Sequence, residues 1–203
     1  MKLYPYNPAL GQKLQTDVEG VNVDAAFLAH IQIAAAKATV ASTNGIHTAA
    51  ATSSAAATDI TTGFTQPSVP RNVTATAGGT AADIKAVQVV VEGTNYADEV
   101  ITETLPAFTV DTAGSVTGSK AFKTVTKYTV PIMDGNGATV ALGFGEKLGI
   151  PYKLAHNTVE MAFLDNTKES APTVTVSATA LESNTVDLAT ALSSKVVDIY
   201  LLV

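Results

Sequence analysis

The sequence predicts a mainly β fold: an antiparallel β-sandwich or rolled barrel of about seven to ten strands, preceded by an N-terminal arm and a short helix. Three observations predict it. Strand-forming and small residues, chiefly Val, Thr and Ala, alternate with period two through most of the chain. Gly-, Asn- and Asp-rich turn sequences separate the alternating runs. Charged residues make up only 15% of the chain, below the usual figure of about 25%, so its surface must be largely small and polar.

Residues 1–23 are predicted to form an extended arm. Two prolines and two glycines interrupt regular structure there, while Tyr4, Tyr6 and Leu10 supply apolar surface that an arm could bury. We expect these three side chains to contact a neighbouring subunit, with a frayed terminus as the alternative. Because the first eight residues contain two prolines and no uninterrupted apolar core, we expect no signal peptide.

Residues 24–65 are predicted to form a helix followed by a linker. Over 24–41, apolar residues that include Phe27 and Ile31 recur at helical spacing. The same residues also alternate as in a strand, so a strand is the alternative. The Ala-, Ser- and Thr-rich stretch 42–65 is typical of a linker, with short strands as the alternative. We expect Phe27 and Ile31 to lie at a subunit interface.

Residues 66–203 are predicted to form the β-sandwich domain. Three valines at alternating positions in 87–91 share one face, and apolar residues in 122–130 and 174–180 also alternate with polar ones. The sequence Asp-Gly-Asn-Gly at 134–137 is a turn signal. One apolar face per strand indicates antiparallel sheets packed on a shared core.

Arg71 is the single arginine of the chain. It follows Pro67 and Pro70, which restrict the backbone as it approaches the first clear strand. A guanidinium can hold a carboxylate in a bidentate pair. We interpret Arg71 as an architectural clamp that acts either inside the domain or across a subunit interface.

The sequence offers little that could perform catalysis or hold a cofactor. It has no cysteine, and His30, His47 and His156 are not at metal-ligand spacing, so we expect these histidines on the surface or at interfaces. The glycine-rich run 143–149 departs by one residue from the dinucleotide-binding pattern, and a hairpin connection explains it better. We expect no enzyme activity, no catalytic residue, no bound metal and no cofactor.

The charge pattern argues against nucleic acid as a partner. The net charge is −6, and the lysines are scattered, whereas phosphate binding needs clustered basic residues. The longest apolar stretches are far shorter than the ~20 residues of a membrane-spanning helix. We therefore expect neither nucleic-acid binding nor membrane insertion.

Several motifs resemble those of a group of tailed-bacteriophage virion proteins. Their patterns are T-T-G-x-T-x-P-x-x-P-R-N, a G-T-[DN] … I-x-E-T hairpin, K-A-F-K-T-V-T, and G-x-G-x-K-L-G-[LI]-P. The corresponding stretches here are 61–73, 92–104, 120–126 and 143–151, with 181–188 and 197–200 sharing the same character. The resemblance covers residues 60–203, and its motifs are structural rather than catalytic.

The resemblance implies a structural protein of a phage virion, and by analogy a capsid decoration (cementing) protein on the outer head surface, assembled in the host cytoplasm. It implies the major capsid protein as a partner, with residues 24–65 contacting the capsid or another subunit. A homo-oligomer is expected, with a trimer favoured because shells offer threefold sites. The alternatives are a tail, collar or head-fibre component, a carbohydrate- or cell-surface-binding β-sandwich and, least favoured, a small hydrolase.

Overall fold

The computed structural model describes residues 13–15, 18–24 and 26–203. These residues form 16 strands and three short 3-10 turns, and no α-helix occurs among them. The strands are β1 Lys13–Gln15, β2 Asn22–Asp24, β3 Leu28–Ile33, β4 Ser42–Ala51, β5 Thr58–Ile60, β6 Arg71–Gly79, β7 Val90–Thr94, β8 Val100–Thr104, β9 Gly114–Phe122, β10 Thr124–Val130, β11 Ala138–Gly149, β12 Val159–Leu164, β13 Thr167–Lys168, β14 Thr173–Thr175, β15 Thr185–Asp187 and β16 Val197–Leu202. The 3-10 turns span Ala35–Lys37, Ala81–Asp83 and Leu181–Ser183.

All pairings among the described strands are antiparallel, and these strands build three sheets and one small hairpin. The hairpin is β1–β2. The sheets have the strand orders β5-β10-β7-β8, β14-β15-β11-β6-β9 and β13-β12-β16-β3, and β4 also pairs with β11. The predicted mainly β class is confirmed, although the described residues hold more strands than predicted because several have only two or three residues.

Two hydrophobic cores lie between these sheets. The first core contains Phe122, Tyr128 and Leu142, and it is enclosed by the β5-β10-β7-β8 sheet and by β4, β6 and the first half of β11. The second core contains Leu148 and Ile199, and it is enclosed by the β13-β12-β16-β3 sheet, β15 and the end of β11. Strand β11 therefore belongs to both cores, with β4 and then β15 along one edge and β6 along the other.

Residues 24–65, predicted as a helix and a linker, instead supply strands to these sheets. β3 pairs with β16, β4 with β11, and β5 with β10. The helix predicted over 24–41 was therefore wrong, and the strand alternative describes 28–33. Ala29, Ile31 and Ile33 point into the second core, while Leu28, His30 and Gln32 point outward. A strand here pairs with β16 at six positions and buries one face of its period-two pattern, whereas a helix could not complete the backbone ladder.

Near the start of β6, the register of its pairing shifts on both sides. Between the pairs Val73–Phe144 and Arg71–Leu148, β11 contains two extra residues. On the other side of β6, the pairing with β9 also shifts next to Asn72. Both shifts are β-bulges, which bend a strand and leave backbone groups without a ladder partner.

The side chain of Asn72 satisfies one backbone group in each bulge. Its Oδ1 atom accepts a hydrogen bond of 3.0 Å from the Lys147 N–H on β11, and its Nδ2 atom donates one of 3.0 Å to the Gly118 carbonyl on β9. Asn72 is only 1% exposed. One buried carboxamide thus fixes three strands where the two cores meet.

Candidate functional site

The sheet β13-β12-β16-β3 has one face on the second core and one face turned to solvent. We call the solvent-facing side chains of β3, β16 and β12 the outer face. Directly paired residues of antiparallel strands share a face, which groups these eight residues: Leu28, His30, Gln32, Asp198, Tyr200, Leu202, Met161 and Phe163.

Polar and ring contacts order the centre of the outer face. The Nε2 atom of His30 lies 2.7 Å from Asp198 Oδ1, and Gln32 Nε2 donates a hydrogen bond of 2.9 Å to the same oxygen. The His30 ring stacks on Tyr200 with centroids 4.4 Å apart and planes 2° apart. Phe163 contacts Tyr200 edge-on at 6.1 Å. These contacts restrict the rotamers of the side chains before any partner binds, which lowers the entropic cost of binding.

Apolar side chains surround this centre and stay accessible. Leu28 is 61% exposed, and Met161 and Leu202 are each 37% exposed. A rigid aromatic and polar centre with exposed apolar neighbours is typical of a protein-binding surface.

Of the six predicted interface residues, the structure describes Phe27, Ile31 and Arg71. Tyr4, Tyr6 and Leu10 lie outside the described residues. Phe27 directly precedes β3 and is 37% exposed. Ile31 is half-buried and packs against the second core, and its predicted interface role stays a prediction.

Arg71 is fully buried, so the clamp acts inside the chain and not across an interface. Its Nη1 atom donates a hydrogen bond of 2.9 Å to the Thr39 carbonyl, and its guanidinium carbon lies 4.6 Å from the centroid of the Phe144 ring. The expected bidentate carboxylate pair is not formed: Nε and Nη2 have no hydrogen-bond partner among the described residues. Burial lowers the pKa of Arg71 to about 10, an effect that the Glu146 carboxylate opposes.

Glu146 links two loops rather than forming an ion pair with Arg71. Its Oε1 atom accepts a hydrogen bond of 2.9 Å from the Ala41 N–H, and its Oε2 atom accepts one of 3.2 Å from the Leu192 N–H. Arg71 holds Thr39, two residues before Ala41, so both side chains fasten the segment between β3 and β4. These polar contacts attach the N-terminal strands to the rest of the fold.

The glycine-rich run 143–149 lies inside β11 and is not the predicted hairpin connection. Its glycines permit close approach between strands: a Cβ atom on Gly143 would stand 1.9 Å from the Ser42 carbonyl oxygen. Within the described residues no group of His, Asp or Glu side chains is placed to hold a metal ion. No helix among them is long and apolar enough to cross a membrane.

Sequence reasoning missed most of the outer face. The alternation of Asp198, Tyr200 and Leu202 with three buried residues was visible in the sequence and could have marked one exposed face of β16. Its pairing with His30, 168 positions earlier than Asp198, was not visible, because no local pattern states which distant strand will be the neighbour.

The motifs that carry the phage resemblance meet in the fold. Arg71 pairs with Phe122 on one side and with Leu148 on the other, so three of the motifs lie on adjacent strands. Phe122 and Leu148 lie in the two cores, and Asn72 lies at the shifts in pairing. Comparison with known proteins found no matching family model, no matching curated protein and no matching solved structure.

Proposed function

We propose that this protein is a structural component of a tailed-phage virion, and specifically a capsid decoration protein that binds the outer head surface. Two observations support the proposal. The first is the resemblance over residues 60–203, and the second, on which the structural argument rests, is the outer face. An ordered surface with exposed Leu28, Met161 and Leu202 suits a lasting protein contact. The low content of charged residues, 15%, fits a chain with several neighbours.

The proposed partner is the major capsid protein, and the proposed role is mechanical. Each copy would add a modest interface, and many copies on a closed shell would together resist the internal pressure of the packaged genome through avidity. Such a role requires binding and no chemistry.

The first experiment is immunogold labelling of purified virions with an antibody against this chain. Dense label over the whole head is the expected result. Label confined to the neck or tail would reassign the protein to the connector or tail and end the cementing proposal. Virions without label would overturn the virion role altogether.

A binding assay then tests the outer face itself. Capsids that lack the protein are incubated with the wild-type chain, with Leu202→Asp on the outer face, or with Val100→Asp as a matched control. Val100 is 81% exposed on β8, which lies in a different sheet. We expect Leu202→Asp to lower capsid occupancy and Val100→Asp to leave it unchanged. Equal occupancy by both variants would place the capsid contact elsewhere.

A further inference from the structure

We propose that the outer edge of β3 pairs in antiparallel fashion with the same edge of a second copy of this chain, which makes a twofold dimer with one continuous eight-stranded sheet. This interface does not depend on the virion role. The strand order β13-β12-β16-β3 places β3 at the end of its sheet. No other strand of the described residues pairs with its free side.

The backbone of β3 presents hydrogen-bonding groups along this free side. The Phe27 N–H donates to the Val203 carbonyl at 2.9 Å, and the Val203 N–H donates to the Phe27 carbonyl at 2.9 Å. The backbone groups of Phe27 therefore face β16. The side toward which the backbone N–H and C=O groups point alternates from one residue to the next along a strand. The backbone groups of Leu28, His30 and Gln32 therefore point away from β16, and they form a template for another strand.

The edge lacks the devices by which proteins block strand pairing. Leu28–Ile33 contains no charged residue and no proline, and its six pairings with β16 run without a register shift. The other end strands of the three sheets, and β4, are protected. Three of them carry a charged residue: Asp59 on β5, Lys168 on β13 and the inward-pointing Glu103 on β8. β14 has only three residues. The pairings of β4 and β9 with their neighbours are interrupted by register shifts.

A second copy of β3 fits this edge because the edge is self-complementary. Antiparallel pairing centred on His30 places Leu28 opposite Gln32 of the second copy and uses every outward-facing backbone group of the three residues. No formal charges of equal sign meet. The chain's own first residues fit less well: Pro5 and Pro8 have opposite parity, so a strand built from them would lack an N–H on either edge.

The absence of cysteine from the sequence permits a direct test of this register. In the pairing centred on residue 30, the two Cα atoms at that position stand about 5.5 Å apart, which lies within the range for a disulfide. We expect His30→Cys to form a covalent dimer under mild oxidation, detected by non-reducing electrophoresis. Val100→Cys is the matched control, exposed on another edge strand, and we expect it to stay largely uncrosslinked.

Sedimentation of the non-oxidised chain tests the same contact without a bond. We expect twice the chain mass of 20.8 kDa. Leu28→Lys should raise the dimer dissociation constant at least about tenfold, since an edge lysine opposes pairing. Val100→Lys should behave as wild type. Because Leu28 is 61% exposed, the variant should fold, as circular dichroism will verify. A monomeric wild type, the trimer favoured by the sequence, or a dimer indifferent to Leu28→Lys would each overturn the proposal.

Discussion

Asn72 and Gly145 lie so close that a Cβ atom added to Gly145 would stand 2.5 Å from Asn72 Oδ1. The approach exists because that oxygen accepts the Lys147 N–H inside the bulge of β11. The opposite end of the same carboxamide reaches Gly118 on β9. A side chain on Gly145 would displace the one group that fixes the register of three strands between the two cores.

Gly145→Ala should therefore destabilise the protein by about 1–3 kcal/mol, the usual cost of overpacking a buried site. Gly114→Ala is the matched control, because a Cβ atom there would meet nothing within 4 Å. Neither glycine has a positive φ, so a difference between the two variants reports the steric effect of the added Cβ atom and not backbone strain. Urea unfolding measures both variants, and equal stabilities would show that the Asn72 carboxamide moves aside freely.

Asn72→Ala should cost about 2–4 kcal/mol, because it leaves two buried backbone groups without partners. Asn157→Ala is the control, since Asn157 is exposed and bonds only the nearby Val159 N–H. Combining Asn72→Ala with Gly145→Ala should cost less than the two changes separately, because the alanine removes the atom that Gly145→Ala would strike. Strict additivity in that double-mutant cycle would contradict the proposed coupling.

Arg71→Met should change the free energy of unfolding by no more than about 1 kcal/mol. A buried charge with two unpartnered nitrogens contributes little net stability, and methionine keeps the aliphatic bulk beside Phe144. Arg71→Ala should cost about 3 kcal/mol, because it opens a cavity between the cores. Thermal or urea unfolding measures both variants, and a loss for Arg71→Met as large as that for Arg71→Ala would show that the charge itself is required.

Alkaline pH should weaken the fold through Tyr128. Burial raises the pKa of its hydroxyl to about 12, above its ordinary value of 10.0. Between those values the folded state holds a proton that the unfolded state releases, so the free energy of unfolding falls as pH rises from 10 to 12. Tyr128→Phe should lower the free energy of unfolding by about 1 kcal/mol at neutral pH, because phenylalanine cannot donate the hydrogen bond that the Tyr128 hydroxyl makes to the Val140 carbonyl.

The same variant should show a shallower decline above pH 10. Unfolding curves at fixed urea concentrations, recorded from pH 8 to 12, measure both slopes. An unchanged slope in Tyr128→Phe would mean that other groups dominate alkaline unfolding.

Local patterns were sufficient for the fold class. Period-two alternation in segments such as 87–91 specifies which side of the chain is apolar, and the turn residues at 134–137 specify where β10 gives way to β11. The strand 28–33 shows the limit of such patterns. Its apolar residues fit both a helix and a strand, and only the backbone edge that β16 offers for pairing selected the strand.

The sequence by itself determined that the chain is mainly β and that Arg71, which follows two prolines, stands at the start of a strand. The tertiary structure decided that Arg71 and Asn72 lie between two cores, that His30 meets Asp198, and that β3 has an unprotected edge. The physical reason is that strand propensity and turns act over a few residues. Strand partners, bulges and exposed faces depend instead on contacts between residues far apart in the chain, which arise only when the sheets pack together.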